Sequence, residues 1–125
     1  MATLTQTQTE GVTVLRVEGG LTHDGVGSVG RAFEVATGSR RGPKDAGKAL
    51  PPGSRVLIDL TEVPVLTTPG LSLLLVAARQ VEKGGGRLGI TGTRRLVYDT
   101  LRRCRLDSVL NIVLDPQEAL RKAQE

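Results

Sequence analysis

The sequence predicts a single α/β domain, in which a mixed β-sheet opens with a hairpin and is covered on one face by about four helices. Two alternating segments near the N-terminus predict the hairpin. After residue 54, short apolar segments typical of strands alternate with longer segments of helical periodicity, which favours parallel strands joined by helices. The 125 residues suffice for one core, and they contain no internal repeat.

The N-terminal part of the chain predicts a hairpin, a helix and a loop. Thr3–Thr9 and Val12–Val17 are the two hairpin strands. A helix follows at about Val26–Thr37, although two internal glycines lower its propensity. Gly38–Ser54 is rich in glycine and proline and has no periodicity, so we expect an insertion loop there.

The middle of the chain predicts a strand that leads into a long helix. Arg55–Leu60 is the strand, and the helix over Pro69–Lys83 stops at three glycines. Thr68 is a favourable N-cap residue, and proline suits the first helical position because no amide hydrogen is needed there. The apolar positions of this helix recur at helical spacing: Leu71, Leu74, Leu75, Ala78 and Val81.

The C-terminal part predicts two further strand–helix pairs. Arg87–Thr91 is a strand, and a helix follows at about Arg94–Cys104. We expect Cys104 to fill a small gap in the core. A short strand at Leu110–Leu114 is followed by a closing helix over about 115–122, with a capping aspartate and a first-turn proline.

Composition excludes several kinds of protein. The most apolar segment, Leu71–Ala78, is too short to span a membrane. The N-terminal residues are polar and uncharged, unlike a secretory signal, and the single cysteine cannot form an internal disulfide or a zinc site. We therefore expect a cytoplasmic protein with no membrane insertion.

The net charge of +4 comes largely from the predicted loop. Four basic residues and Asp45 give Gly38–Ser54 a charge of +3, so the rest of the chain carries +1. Neither this loop nor the arginines between Arg94 and Arg105 provide the continuous basic face or motif of a nucleic-acid-binding protein, so no direct nucleic-acid contact is expected. The loop is interpreted as a solvated insertion or, alternatively, as a docking site for an acidic partner.

Other chemistry-bearing residues do not form a recognisable active site. Gly25–Gly30 has the spacing of a dinucleotide-binding fingerprint, but Gly19–Asp24 separates it from the preceding strand, whereas the fingerprint needs a tight turn. His23 and Asp24 lack further ligands or a nucleophile, and Asp24 is expected to cap the first helix. Asp59 is expected to make a structural hydrogen bond. We predict a non-enzymatic protein with no cofactor and no metal.

The junction between the central strand and the long helix is the strongest candidate for a functional site. Thr67 and Thr68 place two hydroxyl groups at the positive end of the helix dipole. A phosphate or an acidic group of a partner would be stabilised there.

Five phrases, taken in order, make the chain similar to the STAS domain, the fold of bacterial anti-sigma factor antagonists. The resemblance extends from about Thr5 to Ala123. The phrases are Val56-Leu57-Ile58-Asp59-Leu60-Thr61; Leu66-x-x-x-Gly70-Leu71; Gly85-Gly86-Arg87-Leu88 with Ile90-Thr91-Gly92; Leu101 through Leu106-Asp107-Ser108-Val109; and Asp115 to Ala123.

This resemblance implies a protein–protein switch. In the family, a serine at the start of the second helix is phosphorylated by an anti-sigma factor that is itself a serine-protein kinase of the histidine-kinase-like ATPase type. The unmodified antagonist binds this kinase and frees the sigma factor, and the phosphorylated antagonist dissociates. By position the acceptor is Thr68, with Thr67 as a second candidate. The implied partner-binding residues are Thr22, His23, Thr67, Thr68, Pro69, Gly70 and Leu71.

The chain departs from the family's pattern at two positions. Thr67 replaces the acid before the acceptor, and Thr22 replaces a second acid found after the second strand. Two interpretations remain open: Thr68 is phosphorylated, or it is only a helix N-cap. In the second case the chain would be a non-phosphorylated interaction module, such as a scaffold or a soluble subunit of a transport ATPase. A monomer or a weak homodimer is expected.

Overall fold

The computed structural model describes residues 2–22, 25, 27, 30, 53–106 and 110–123, which form five strands and three helices. Each of these elements lies within two residues of its predicted bounds. The strands are β1 (Thr3–Thr9), β2 (Val12–Glu18), β3 (Arg55–Glu62), β4 (Arg87–Thr91) and β5 (Asn111–Val113). The helices are α1 (Thr68–Lys83), α2 (Arg95–Arg103) and α3 (Pro116–Ala123).

The five strands form one mixed sheet in the order β1-β2-β3-β4-β5, which confirms the predicted fold class. β1 and β2 are antiparallel, and the remaining pairs are parallel. The hairpin turns on Glu10 and Gly11, whose φ angles are 51° and 81°. Two successive positive φ angles are typical of a type I′ turn, whose twist matches that of the paired strands.

Apolar side chains of the sheet are buried on both of its faces. Val56 and Ile58 of β3 belong to the main core, which α1 and α2 cover. Leu57 points to the opposite face, where it packs with Val12 and with Ala119 of α3. The expectation that the helices cover one face is therefore corrected, because α3 shields the second face of these central strands.

Three helices occur in the described ranges, where the sequence predicted about four. Gly25, Gly27 and Gly30 are helical, but the rest of the helix predicted at about Val26–Thr37 lies outside the described residues. Asp24, its predicted N-cap, and the predicted loop up to residue 52 also lie outside them. Of the helices described, none is long and apolar enough to cross a membrane.

Two single-residue predictions have opposite outcomes. Asp59 makes a structural hydrogen bond, since its Oδ1 accepts the amide of Thr61 at 2.9 Å and the hydroxyl of the same residue at 2.5 Å. Cys104 is exposed at the C-cap of α2, so the prediction that it fills a core gap is wrong. The buried residues of α2 are Val97 and Leu101, and Cys104 follows the last helical residue, Arg103.

Candidate functional site

The backbone after β2 runs beside the backbone after β3 and holds the start of α1. The Leu21 amide donates to the Val65 carbonyl oxygen at 2.9 Å. Leu21 and Leu66 then form an isolated parallel bridge. Thr22 and Thr67 directly follow these bridged residues, so the sheet brings together the two positions at which the chain departs from the family's pattern.

Thr67, and not Thr68, is the N-cap of α1. Its φ of −113° and ψ of 178° are extended, and its carbonyl oxygen accepts the Leu71 amide at 3.0 Å. Its own amide and hydroxyl both donate to the Leu21 carbonyl oxygen, at 3.1 and 3.3 Å. This attachment keeps Thr67 extended, so the helix begins at the next residue. The prediction that Thr68 is the N-cap is wrong by one position.

Thr68 is the first residue of α1, and its side chain is exposed. Within the described part of the chain its hydroxyl has no hydrogen-bond partner. The first turn of α1 contains no acidic residue, so no carboxylate of that turn offsets the positive end of the helix dipole. Thr68 therefore presents a hydroxyl to solvent at a position that favours negative charge.

Gly70 allows α1 to approach the bridged residues closely. A Cβ atom at this position would lie 2.5 Å from the Leu21 carbonyl oxygen and 2.6 Å from Leu66 Cδ1. Leu71 is buried in the main core. Of the residues predicted to contact a partner, Gly70 and Leu71 thus support the site from beneath, whereas Thr67 and Thr68 are exposed. The ring of Pro69 is partly exposed beside them.

Thr22 is half-buried next to this surface. Its Oγ1 accepts the Gly25 amide over a long 3.5 Å, with the three-residue spacing of an N-cap contact. The hydroxyls of Thr22 and Thr67 are therefore both engaged within the chain. His23, which the sequence also predicted to contact the partner, lies outside the described residues.

Exposed side chains continue from Thr68 along one side of α1. Ser72, Val76 and Arg79 are exposed at intervals of three or four residues, and Val76 retains 45% of its surface. We call Thr68, Ser72, Val76 and Arg79 the α1 stripe. Sequence reasoning missed it, although Val76 is an apolar residue outside the predicted core spacing, which was the available signal.

Charged side chains form ion pairs at the C-terminal end of β3, the end that leads into the site. The Glu62 carboxylate lies 3.7 Å from Arg16 Nη2 and 3.6 Å from Arg94 Nη2. Arg94 Nε also donates to the Thr61 carbonyl oxygen at 2.8 Å. These side chains are about half exposed, so each ion pair contributes less than about 1 kcal/mol. Because Arg94 is the N-cap of α2, its contacts hold the start of that helix against the end of β3.

The described residues of the candidate site lie at the start of α1, where Thr67 and Thr68 are exposed on the surface. A groove of about 300 Å³ lies between α3 and strands β3 to β5, and Arg55, Arg87 and Lys122 contribute to its lining. Of the predicted site residues that the structure describes, none lines this groove. Among the residues that the structure describes, no group of three or more His, Cys, Asp or Glu side chains is arranged to hold a metal ion.

Comparisons with known proteins relate the chain to one family. The sequence model of the STAS domain matches residues 3–119. An anti-sigma-factor antagonist (STAS) domain protein from Planctomyces limnophilus has a similar structure, with a TM-score of 0.77 and 19% identity over 98% of both chains. An anti-sigma factor antagonist from Mycobacterium paratuberculosis has a TM-score of 0.74 and 22% identity, over 100% of this chain and 96% of that one.

The phosphorylated form of the Bacillus cell fate determinant SpoIIAA is also similar. It has a TM-score of 0.63 and 16% identity, over 96% of this chain and 98% of that one. At these identities the likeness to solved structures shows the fold alone. No curated protein matches the chain significantly.

Proposed function

The chain belongs to the STAS domain family, and we propose that it is an anti-sigma factor antagonist whose partner is a serine-kinase anti-sigma factor of the histidine-kinase-like ATPase type. The unmodified chain binds this partner through Thr67, Thr68 and the α1 stripe, and phosphorylation of Thr68 releases it. One observation carries the proposal: Thr68 is exposed at the first position of α1, and it is not needed as the helix cap.

The α1 stripe supplies the docking surface in this proposal. Its four side chains follow one another at three- or four-residue intervals, so a partner lying along α1 contacts all of them. Val76 offers apolar area near the middle of α1, and Arg79 offers a positive charge nearer its C-terminal end. Thr68 at the other end of the stripe also contacts the partner, so a change of its charge acts directly on the interface.

Phosphorylation changes the charge of this surface without requiring a change of fold. A phosphate on Thr68 adds roughly −1.5 to −2 charges at neutral pH. In the free chain this charge is solvated and lies at the positive end of α1, so its cost is small. Beneath a docked partner it would lose its water, and the loss is not compensated unless the partner supplies cations. The complex therefore dissociates while the chain stays folded.

A second candidate function is favoured by Thr22 and Thr67. Both hydroxyls make hydrogen bonds within the chain, at positions where the family's pattern has acids. If kinase recognition needs those carboxylates, the chain binds its partner without being phosphorylated. It is then a constitutive interaction module that uses the same exposed surface.

Mass spectrometry of the protein purified from its native cells separates the two candidates. Intact mass and peptide mapping, under growth and under stress, are expected to show one phosphate on Thr68. The Thr68→Ala variant expressed in the same cells is expected to lack it. Absence of phosphate in the wild-type chain under all conditions would refute the switch and leave the constitutive module.

Binding assays test whether charge at Thr68 controls the partner. The probes are the histidine-kinase-like anti-sigma factors encoded in the same genome, titrated against each purified variant. We expect Thr68→Glu to weaken binding at least ten-fold, because it adds a negative charge to the interface. Thr68→Ala is expected to bind like the wild type. The matched control, Gln117→Glu, adds the same charge on α3, on the other face of the sheet, and should also leave binding unchanged. Equal binding of Thr68→Glu would contradict the switch.

A further inference from the structure

β1 presents the longest outer strand edge in the described part of the sheet. It is an edge strand of seven residues, whereas β5 at the other edge has three. Natural edge strands are protected from pairing by charges, proline or β-bulges. β1 reads Thr-Leu-Thr-Gln-Thr-Gln-Thr, with no charge and no proline, and it pairs with β2 through seven consecutive positions without a bulge. None of these protections is present in β1.

The faces of β1 are open as well as its edge. Six of its seven residues are exposed, and only Leu4 is partly buried. Successive side chains of a strand alternate between its two faces, so both faces of β1 are largely exposed, and only Leu4 packs against the main core. The exposed side chains and the edge position of β1 leave its outer side accessible to another strand.

The type I′ turn fixes which backbone groups of β1 point outward. In such a two-residue turn the flanking residues, Thr9 and Val12, form a hydrogen-bonded pair. Hydrogen-bonded and non-hydrogen-bonded pairs alternate along an antiparallel ladder, so the odd-numbered residues of β1 bond to β2. The amide and carbonyl groups of Leu4, Gln6 and Gln8 consequently point away from the sheet.

We propose that β1 pairs antiparallel with β1 of a second copy of this chain, about a twofold axis at Gln6. In this register Leu4 lies opposite Gln8 of the partner subunit, and Gln6 lies opposite its own equivalent. Every residue with outward backbone groups thus falls in a hydrogen-bonded pair. The sheets of both copies join into one continuous sheet.

The side chains of β1 favour this register. The sequence Thr3–Thr9 is nearly palindromic about Gln6, so the threonines of one face meet threonines across the axis. Cross-strand threonine pairs are favourable, and no like charges are brought together. When the two β1 strands pair, the outer edge of each is hydrogen-bonded to the other copy and cannot bind a third, so the assembly closes as a dimer. Because β2 separates β1 from β3, which leads into Thr67, this dimer does not depend on the proposed function.

The first test is the molar mass of the full chain in solution. Sedimentation equilibrium over a concentration series is expected to show a rise from 13.2 kDa towards twice that mass. Gln6→Pro should stay monomeric, because it removes an outward amide and leaves the β1–β2 hydrogen bonds intact. Gln6→Thr is the matched control and should still dimerise. A wild-type chain that remains monomeric throughout, or that forms assemblies larger than a dimer, overturns the proposal.

A second variant covers the case in which Gln6→Pro does not fold. Gln6→Lys places two like charges opposite each other at the axis, and we expect it to weaken the dimer at least ten-fold at low salt. Circular dichroism checks that both variants keep the wild-type secondary structure. A folded Gln6→Lys chain that dimerises as strongly as the wild type overturns the proposed register.

Cross-linking tests the register directly. In a Cys104→Ser background, Thr5→Cys and Thr7→Cys are made separately, because Thr5 lies opposite Thr7 of the partner subunit as a non-hydrogen-bonded pair. Such pairs have Cα atoms about 4.5 Å apart, within the range of a disulfide. Mild oxidation of the mixture should give several-fold more cross-linked dimer than either variant alone. Equal cross-linking in the mixture and in the separate variants refutes the register.

Discussion

Replacing Gly70 with alanine tests whether the close approach of α1 to Leu21 builds the candidate site. The added Cβ would lie 2.5 Å from the Leu21 carbonyl oxygen, 2.6 Å from Leu66 Cδ1 and 2.9 Å from Leu21 Cβ. Cβ atoms essentially never come within 3.0 Å of such atoms. Two of the three belong to the backbone or Cβ of Leu21 and cannot rotate away, so the start of α1 must retreat by at least about 0.5 Å.

The energetic cost follows from the contacts that this retreat breaks. The two hydrogen bonds from Thr67 to the Leu21 carbonyl oxygen, now 3.1 and 3.3 Å long, would stretch beyond the usual range. Each contributes about 1 kcal/mol, and residual overpacking costs about 1 kcal/mol more. Alanine's higher helix propensity returns about 1 kcal/mol. We therefore expect Gly70→Ala to lower the free energy of unfolding by about 2 kcal/mol.

Urea unfolding measures this change, and Gly27→Ala is the matched control. Gly27 is also helical, but a Cβ there meets nothing within 4 Å among the described residues. Only propensity changes at that position, so Gly27→Ala should raise the free energy of unfolding by about 0.5–1 kcal/mol. If Gly70→Ala stabilises the chain as much as Gly27→Ala does, α1 is not held by close packing and the reasoning is refuted.

Four further substitutions test the assignments at the site and beside it. In urea unfolding, Thr67→Ala should lower the free energy of unfolding by about 1 kcal/mol and Thr68→Ala by less than about 0.5 kcal/mol, because only the Thr67 hydroxyl donates to Leu21. A larger loss for Thr68→Ala than for Thr67→Ala would show that Thr68 is the cap after all. Gly92→Ala should lower the free energy of unfolding by more than about 2 kcal/mol, because its φ of 70° is strained for alanine and the new Cβ collides with Thr61 Oγ1. If the effects of Gly92→Ala and Thr61→Ala on the free energy of unfolding add up in the double variant, this collision is unimportant. Val76→Asp should keep the free energy of unfolding within about 0.5 kcal/mol of the wild-type value, because Val76 is exposed, and should weaken binding to the anti-sigma factor at least ten-fold. Unchanged binding would show that the α1 stripe is not part of the interface.

Most of the fold could be predicted because its elements are encoded locally. The turn residues Glu10 and Gly11, the glycines after Lys83 and the alternation of strand and helix patterns each constrain only a few neighbouring residues. The side of the sheet on which a helix packs is not encoded in this way. Leu57 sits between two other apolar residues, so its pattern does not show that α3 covers a second face.

The junction between β3 and α1 lies where the sequence predicted it, but the helix cap does not. Thr67 and Thr68 are adjacent and have the same side chain, so capping preference alone could not distinguish them. The Leu21 carbonyl oxygen, 46 residues away from Thr67 in sequence, decides which of them stays extended. Cys104 illustrates the same limit, since its exposure at the C-cap depends on which side of α2 packs on the core.

Local sequence patterns were enough to predict the α/β class, the order and approximate bounds of the described elements, and the strand–helix junction at Thr67 and Thr68. These depend on periodicity, turn chemistry and helix-end preferences, which act over a few residues. Only the folded chain shows which residue is the N-cap, that Thr68 is exposed, how closely α1 approaches at Gly70, and that the helices pack on both faces of the sheet. Each of these depends on a contact between segments distant in sequence, because packing against Leu21, Leu57 or Leu66 has no counterpart in local pattern.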